Sequence, residues 1–220
     1  MNTYLRSLWR CRDGFDAWRL YQGMPAARSR TTAPESDAAP ARAENVELAA
    51  GSRVLVRAIR PGDLDAMQRA FKRLTPGQVR SRFFHTLTEL PAAVAAAMCD
   101  IDPESTVSLV ATDLDGAEIR GEARVHIDTV TESAEFALAI DPAFTGKGLG
   151  RALLSRLIEE CRARQLDEIW GETQSDNAGM LALARRLGFD LQPESEDAAL
   201  VRMTLPLRAQ QASPQLSNAA

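Results

Sequence analysis

Three glycines at alternate positions, Gly146, Gly148 and Gly150, follow an apolar run that ends at Ile140. They precede a stretch in which Leu149, Ala152, Leu153, Leu157 and Cys161 recur at helical spacing. A strand that passes through a glycine-rich turn into a helix restricts the chain to folds in which helices pack on a sheet. The junction also suits an anion. Glycines let the backbone approach a ligand closely, the first amides of the helix point into the gap, and the helix dipole favours negative charge there. A diphosphate would be held mostly by the main chain of Gly146, Lys147, Gly148 and Gly150, with Lys147 or Arg151 adding a charge-assisted contact.

Two nucleotide-binding patterns do not fit this junction. A phosphate loop that also holds magnesium needs GxxxxGK(S/T), and no Lys-Ser or Lys-Thr follows these glycines. A dinucleotide fingerprint needs GxGxxG in the first strand–helix unit, whereas this pattern is GxGxG and lies late in the chain. A glycine loop without a ligand is the plain alternative.

Composition narrows the function classes. The 220 residues carry 45% hydrophobic and 25% charged side chains, values that call for a folded core. A net charge of −4 and a pI near 5.4 argue against a nucleic-acid partner. The chain has only two histidines, His85 and His126, and its three cysteines, Cys11, Cys99 and Cys161, are widely spaced, so neither a metal site nor a disulfide framework is expected. No apolar run reaches membrane-spanning length, and no apolar segment of signal-peptide type follows the N-terminus. The expectation is a cytoplasmic protein with no membrane partner; a homo-oligomer is compatible with the sequence.

Along the chain, residues 1–24 form an aromatic and basic segment in which Tyr4, Leu8, Cys11, Phe15 and Trp18 share one helical face. Residues 25–50 are rich in Ala, Pro and Ser and read as a linker, and 208–220 reads as a disordered tail. Between them, 51–207 reads as one α/β domain. A strand ends at Pro61, three helical patterns cover 62–73, 76–85 and 91–99, and strands fit 105–113, 119–128 and 134–141. The Asp115-Gly116 pair turns the first two of these strands. A long helix over 148–165, a strand over 167–174, a helix over 177–187 and a final strand pair within 188–206 complete the order.

The strand, Gly146-Lys-Gly-Leu-Gly-Arg-Ala-Leu-Leu and the helix start resemble motif A, (Q/R)xxGx(G/A), of the GNAT N-acetyltransferase superfamily. Downstream, Asn177 opens a helix that ends in Leu187-Gly-Phe, as in motif B of the same superfamily. Ser81-Arg-Phe-Phe, Ile101-Asp-Pro and Ala134-Glu-Phe-Ala-Leu-Ala-Ile resemble more narrowly the catalytic domain of Pat-type bacterial protein lysine acetyltransferases. The likeness spans about 53–190. It implies a mixed, mostly antiparallel sheet flanked by helices, with acetyl-CoA as acyl donor, no metal, and an amine acceptor, either a protein lysine or a small amine.

The resemblance also implies roles. Thr145, Gly146, Lys147, Gly148, Leu149, Gly150 and Arg151 would cradle the pyrophosphate, although Thr145 stands where the motif usually has Gln or Arg. Backbone N–H groups at Leu138, Ala139 and Ile140 would stabilise the thioester oxygen. Asn177 would touch the pantetheine arm, or else cap its helix with no ligand. The attacking amine must lose a proton, and a carboxylate raised by burial can accept it. Glu135 is the first candidate, on a strand face with Ala137 and Ala139 and opposite Phe136, Leu138 and Ile140. Glu172 is the second, with pairing to a neighbouring arginine as its plain alternative, and Glu122 is a third. Many superfamily members protonate the leaving thiolate with a tyrosine of the motif B helix. Here both tyrosines precede residue 22, which leaves Ser175, water or direct release. Arg80 and Arg82 would stand on the acceptor side. An amine acetyltransferase and a non-catalytic acyl-CoA-binding module are the two classes to separate.

Overall fold

A computed structural model describes residues 43–83, 87–195 and 197–208. The expected helical face at 1–24, with Cys11, most of the linker, and the tail beyond 208 lie outside them, as does His85. Eight strands form one sheet in the order β1-β2-β3-β4-β5-β6-β8-β7. They are β1 (Glu44–Glu47), β2 (Arg53–Ala58), β3 (Thr106–Thr112), β4 (Ile119–Asp128), β5 (Ser133–Ile140), β6 (Glu168–Gln174), β7 (Asp190–Pro193) and β8 (Leu200–Pro206). Five α-helices among the described residues are α1 (Leu64–Arg73), α2 (Pro76–Phe83), α3 (Ala92–Cys99), α4 (Leu149–Ala163) and α5 (Ala178–Arg186).

Every neighbouring pair is antiparallel except β5 and β6, which run parallel because α4 carries the chain back between them. The expected turn between β3 and β4 forms where Gly116 adopts φ +78° and its N–H donates to Asp113 O at 2.8 Å. The sheet starts earlier than the boundary drawn at residue 51. Glu44–Glu47 pairs with Arg53–Val56, so the last residues assigned to the linker are an edge strand. Its sequence, Glu-Asn-Val-Glu, has one apolar residue and therefore no readable alternation, since an edge strand packs little.

The two faces of the sheet are covered differently. Helices α4 and α5 pack over Val54, Leu109, Ala123, Val125 and Phe136, with Leu149, Leu153, Leu154 and Leu157 of α4 fully buried against them. Helices α1, α2 and α3 cover the other face through Met67, Phe71, Val79, Ala95 and Met98, packed on Val110 and Ile119. A bidentate pair between Arg57 and Asp63, 2.7 Å on each arm, pins the entry to α1 beneath this second layer.

Candidate active site

Strands β5 and β6 pair over only three positions, Ser133–Glu168, Ala134–Ile169 and Glu135–Trp170, and then diverge. From Phe136 onward the β6 side of β5 is therefore open. The register shows which amides face that opening. Asp141 N–H donates to Arg120 O at 2.9 Å, so the pairs Glu122–Ala139 and Arg124–Ala137 exchange hydrogen bonds across β4 and β5. The main chain of Phe136, Leu138 and Ile140 is then turned toward the gap. Gln78 Nε2 of α2 indeed donates to Ile140 O, at 2.9 Å. Of the three amides the sequence pointed to, Leu138 and Ile140 face the opening, whereas the pairing commits Ala139 to β4.

At the end of β5 a short 3-10 turn, Pro142–Phe144, leads to the glycine loop. Asp141 holds the turn by accepting from Ala143 N at 2.9 Å, while Arg73 and Arg120 bind the same carboxylate at 2.8 and 3.3 Å. These cations, with the N–H bond, keep the Asp141 carboxyl below its usual range despite a burial that works to raise it. Gly146 and Gly148 take φ +76° and +89°, a left-handed backbone that side chains rarely adopt. The first α4 amide with a backbone partner is that of Ala152, which donates to Gly148 O at 3.0 Å, and no side chain caps the helix. The amides of Leu149, Gly150 and Arg151 thus end the helix pointing outward. Gly150 has a different reason to be glycine: a Cβ there would stand 3.3 Å from Leu183 and 3.5 Å from Leu138, so it sets how closely α4 approaches β5 and α5. Thr145 is exposed, and the Lys147 ammonium lies over the Phe144 ring at 5.1 Å.

A cleft fills the angle between β5 and β6 below α2. Glu135, Ala137, Leu138, Glu172, Asn177, Ser81, Arg82 and His126 are among its walls. Alternation sets Glu135, Ala137 and Ala139 on the face of α1–α3, opposite Phe136, Leu138 and Ile140, as the sequence predicts. Glu172 lies two residues beyond Trp170, the β6 partner of Glu135, so both carboxylates are on one face at the mouth of the divergence. Glu172 also meets Arg202 Nη1 at 3.8 Å, and Arg202 stacks on Trp170 at 3.9 Å, so the plain alternative of an arginine partner is present as well. Asn177 caps α5: its Oδ1 accepts from Met180 N at 3.2 Å and its Nδ2 donates to Thr173 Oγ1 at 2.9 Å. Its amide is thus engaged within the protein even as it lines the cleft.

Glu122 is not placed for proton transfer. It is fully buried, bonded to the Arg124 guanidinium, 3.3 Å from Arg82 Nη2 and 3.2 Å from Ser108 Oγ. Burial alone would raise its pKa, and the two guanidiniums override it and hold the carboxyl below its usual range. His126 is the β4 partner of Glu135 and shares a hydrogen bond with Thr106 Oγ1 at 3.0 Å. Burial, reinforced by Arg124 and Arg82, pushes its pKa down to about 4, so the ring is neutral near pH 7. Sequence reasoning placed Arg82 on the acceptor side but missed that it is buried against Glu122. The helical spacing of α2 carries no sign of this, because the contact forms only where α2 folds over β4.

Comparison with known proteins now decides the family. The model of the acetyltransferase (GNAT) family matches residues 66–189. The chain belongs to the GNAT family. An acetyltransferase of Pseudomonas aeruginosa is 27% identical over 159 residues, which are 71% of this chain and 86% of that protein. The ribosomal protein bS18 alanine N-acetyltransferase of Escherichia coli is 42% identical over 59 residues, and the match spans 40% of its length. Among solved structures, the GNAT domain of S. lividans PAT superposes with a TM-score of 0.69 at 23% identity, over 75% of this chain and 97% of that domain. Among the described residues, no group of three His, Cys, Asp or Glu side chains could hold a metal ion, and no helix is long and apolar enough to cross a membrane.

Proposed function

We propose that this chain is an acetyl-CoA-dependent N-acetyltransferase that acylates a primary amine, the side chain of a protein lysine, by direct attack on the thioester. The observation that carries the reading is the coincidence of three features on one line. Outward amides at Leu149–Arg151 stand at one end, the Ile140 N–H and the open main chain of Leu138 and Phe136 run along the middle, and Glu135 sits where the strands part. The amides of the glycine loop, with Lys147 and Arg151, hold the donor's diphosphate. The outward groups of β5 take its amide arm as an added strand would, and Asn177 flanks that arm. Leu138 N–H, turned into the gap, stabilises the oxygen that becomes an anion as the amine attacks.

Glu135 accepts the proton of the incoming ammonium. Free lysine has a pKa near ~10.4, so the amine reaches the thioester charged and must be neutralised there. Glu172, on the same face, is the second candidate for the base, with its charge offset by Arg202 at 3.8 Å. No tyrosine lies among the described residues, so the thiolate leaves unassisted or takes a proton from water or Ser175. Resemblance to the Pat-type catalytic domain supports a protein lysine as acceptor.

Calorimetric titration with acetyl-CoA, followed by detection of free thiol with lysine peptides, peptides bearing only a free N-terminus, and polyamines, tests the reading. Glu135→Gln is expected to lower kcat by roughly 10²–10⁴ with acetyl-CoA affinity unchanged. Turnover unaffected in that variant would remove Glu135 as the base, and binding without turnover on any amine would favour the acyl-CoA-binding module.

A further inference from the structure

We infer that Arg82, a residue of α2 rather than of the sheet, is a positioning residue that keeps Glu135 ionised by closing a buried charge balance beneath the cleft. The inference rests on the reading of Glu135 as the base. Arg82 is 5% exposed and forms part of the wall of the cleft that Glu135 also lines. Its guanidinium reaches Glu122 at 3.3 Å and lies over the Phe83 ring at 5.1 Å, which fixes it under α2.

The balance is counted over the described residues of the strands and the helix packed around Glu135. From α2 comes Arg82, and from β4 come Arg124, Glu122 and His126, the last neutral near pH 7. Strand β3 contributes the uncharged Thr106 and Ser108, which face His126 and Arg124. Strands β6 and β8 contribute Glu172 and Arg202, a compensating pair 3.8 Å apart. Two guanidiniums, Arg82 and Arg124, therefore share one fully buried carboxylate, Glu122, and Glu135, which lines the same cleft as Arg82, is placed to balance the second positive charge. Burial holds the Arg82 guanidinium below its usual range, and the carboxylates of Glu122 and, less strongly, Glu135 oppose that shift. An uncompensated charge in a buried cluster is costly, so the resting enzyme favours the Glu135 carboxylate. Once Glu135 has taken the proton of the amine, the cluster is left with one positive charge in excess, which drives that proton on to solvent and resets the base.

The charge count makes opposite demands on two variants. Arg82→Met removes the positive charge that the Glu135 carboxylate balances, so the acid limb of kcat/KM against pH should move up by about one unit. Glu122→Gln, close to isosteric, adds an unmatched positive charge, so the same limb should move down by about one unit. Arg82→Lys should return the limb toward the parent value. A merely structural role would lower the plateau in both variants and leave the limb in place, and limbs that do not move, or that move in the same direction, overturn the inference. Thermal melting of each variant identifies loss of fold; if Arg82→Met does not fold, the sign of the Glu122→Gln shift decides. A Glu135→Gln variant that keeps its turnover is a separate failure, that of the base itself, and is read from the plateau rather than from the limb.

Discussion

The two faces of the sheet solve opposite problems with the same strands. Toward α4 and α5, β3, β4 and β5 present Leu109, Ala123, Val125 and Phe136, and the helix answers with Leu149, Leu153, Leu154 and Leu157. Toward α1, α2 and α3 the alternate positions of the same strands carry Ser108, Glu122, Arg124, His126 and Glu135. Burying hydrocarbon gives stability with little demand on orientation, whereas burying charge is tolerated only where every partner is in place. The difference teaches where to look for stability and where to look for chemistry: one layer holds the molecule together, and the other holds a charge pattern around the cleft.

The sharpest way to break this division is to damage the apolar layer and ask whether the chemistry notices. Leu157 is fully buried on α4. Leu157→Ala is expected to cost about 2–5 kcal/mol in urea-induced unfolding, through lost burial and the cavity left behind. The acid limb of activity should stay where it is. A limb that moved with the core would show that the two faces are not separable and would weaken the charge-balance argument with it.

The charged layer makes a complementary demand on stability. His126 has a folded pKa near 4 because burial and the neighbouring guanidiniums oppose its charge, against an ordinary value of 6.5. Between those values the unfolded chain binds more protons than the folded one, so stability rises with pH through this window. The contribution is complete above about pH 6.5 and is lost as pH falls toward 4, an effect of about 3 kcal/mol. His126→Gln should flatten the dependence of the urea midpoint between pH 4.5 and 6.5. The carboxylates of Asp63, Asp113 and Glu118, held below their ordinary values of 3.8 and 4.5, lose their contributions at lower pH and should remain as an acid transition. A variant whose midpoint still climbs across the upper window would place the titration on another group.

The same contrast explains what could be read from the sequence. The apolar face is written in local periodicity: the spacing from Leu149 to Cys161 predicts α4, and alternation through Phe136, Leu138 and Ile140 predicts both β5 and the side on which Glu135 lies. The glycine loop is likewise local, since strand, turn and helix are contiguous. The charged face is not local. Arg82 and Glu122 are separated by 40 positions and meet only because α2 folds over β4. The partnership of Glu172 with Arg202 depends on β6 pairing with β8 across the chain of α5 and β7. The selection of Leu138 and Ile140 over Ala139 depends on which β4–β5 pairs exchange hydrogen bonds, and hydrophobic pattern is silent about that. Strand β1 escaped notice for a simpler reason, having too few apolar residues to alternate.

The smallest expected effect separates backbone strain from ligand contact in the glycine loop. Gly148 sits at φ +89° with nothing within 4 Å of the position a Cβ would occupy, and Gly116 at the β3–β4 turn has the same combination at φ +78°. Placing alanine at either site imposes a left-handed backbone on a residue with a side chain, at a cost of about 1–2 kcal/mol, and no clash with the protein adds to it. The two variants should therefore lose similar stability. If the amides of the loop hold a diphosphate, Gly148→Ala places its methyl where the ligand approaches and should weaken acetyl-CoA binding beyond what Gly116→Ala does, by roughly tenfold for a loss of about 1.4 kcal/mol. Equal affinities in the two variants would show that the open space at Gly148 is only loop conformation, and the anion site would have to be sought among the α4 amides that follow.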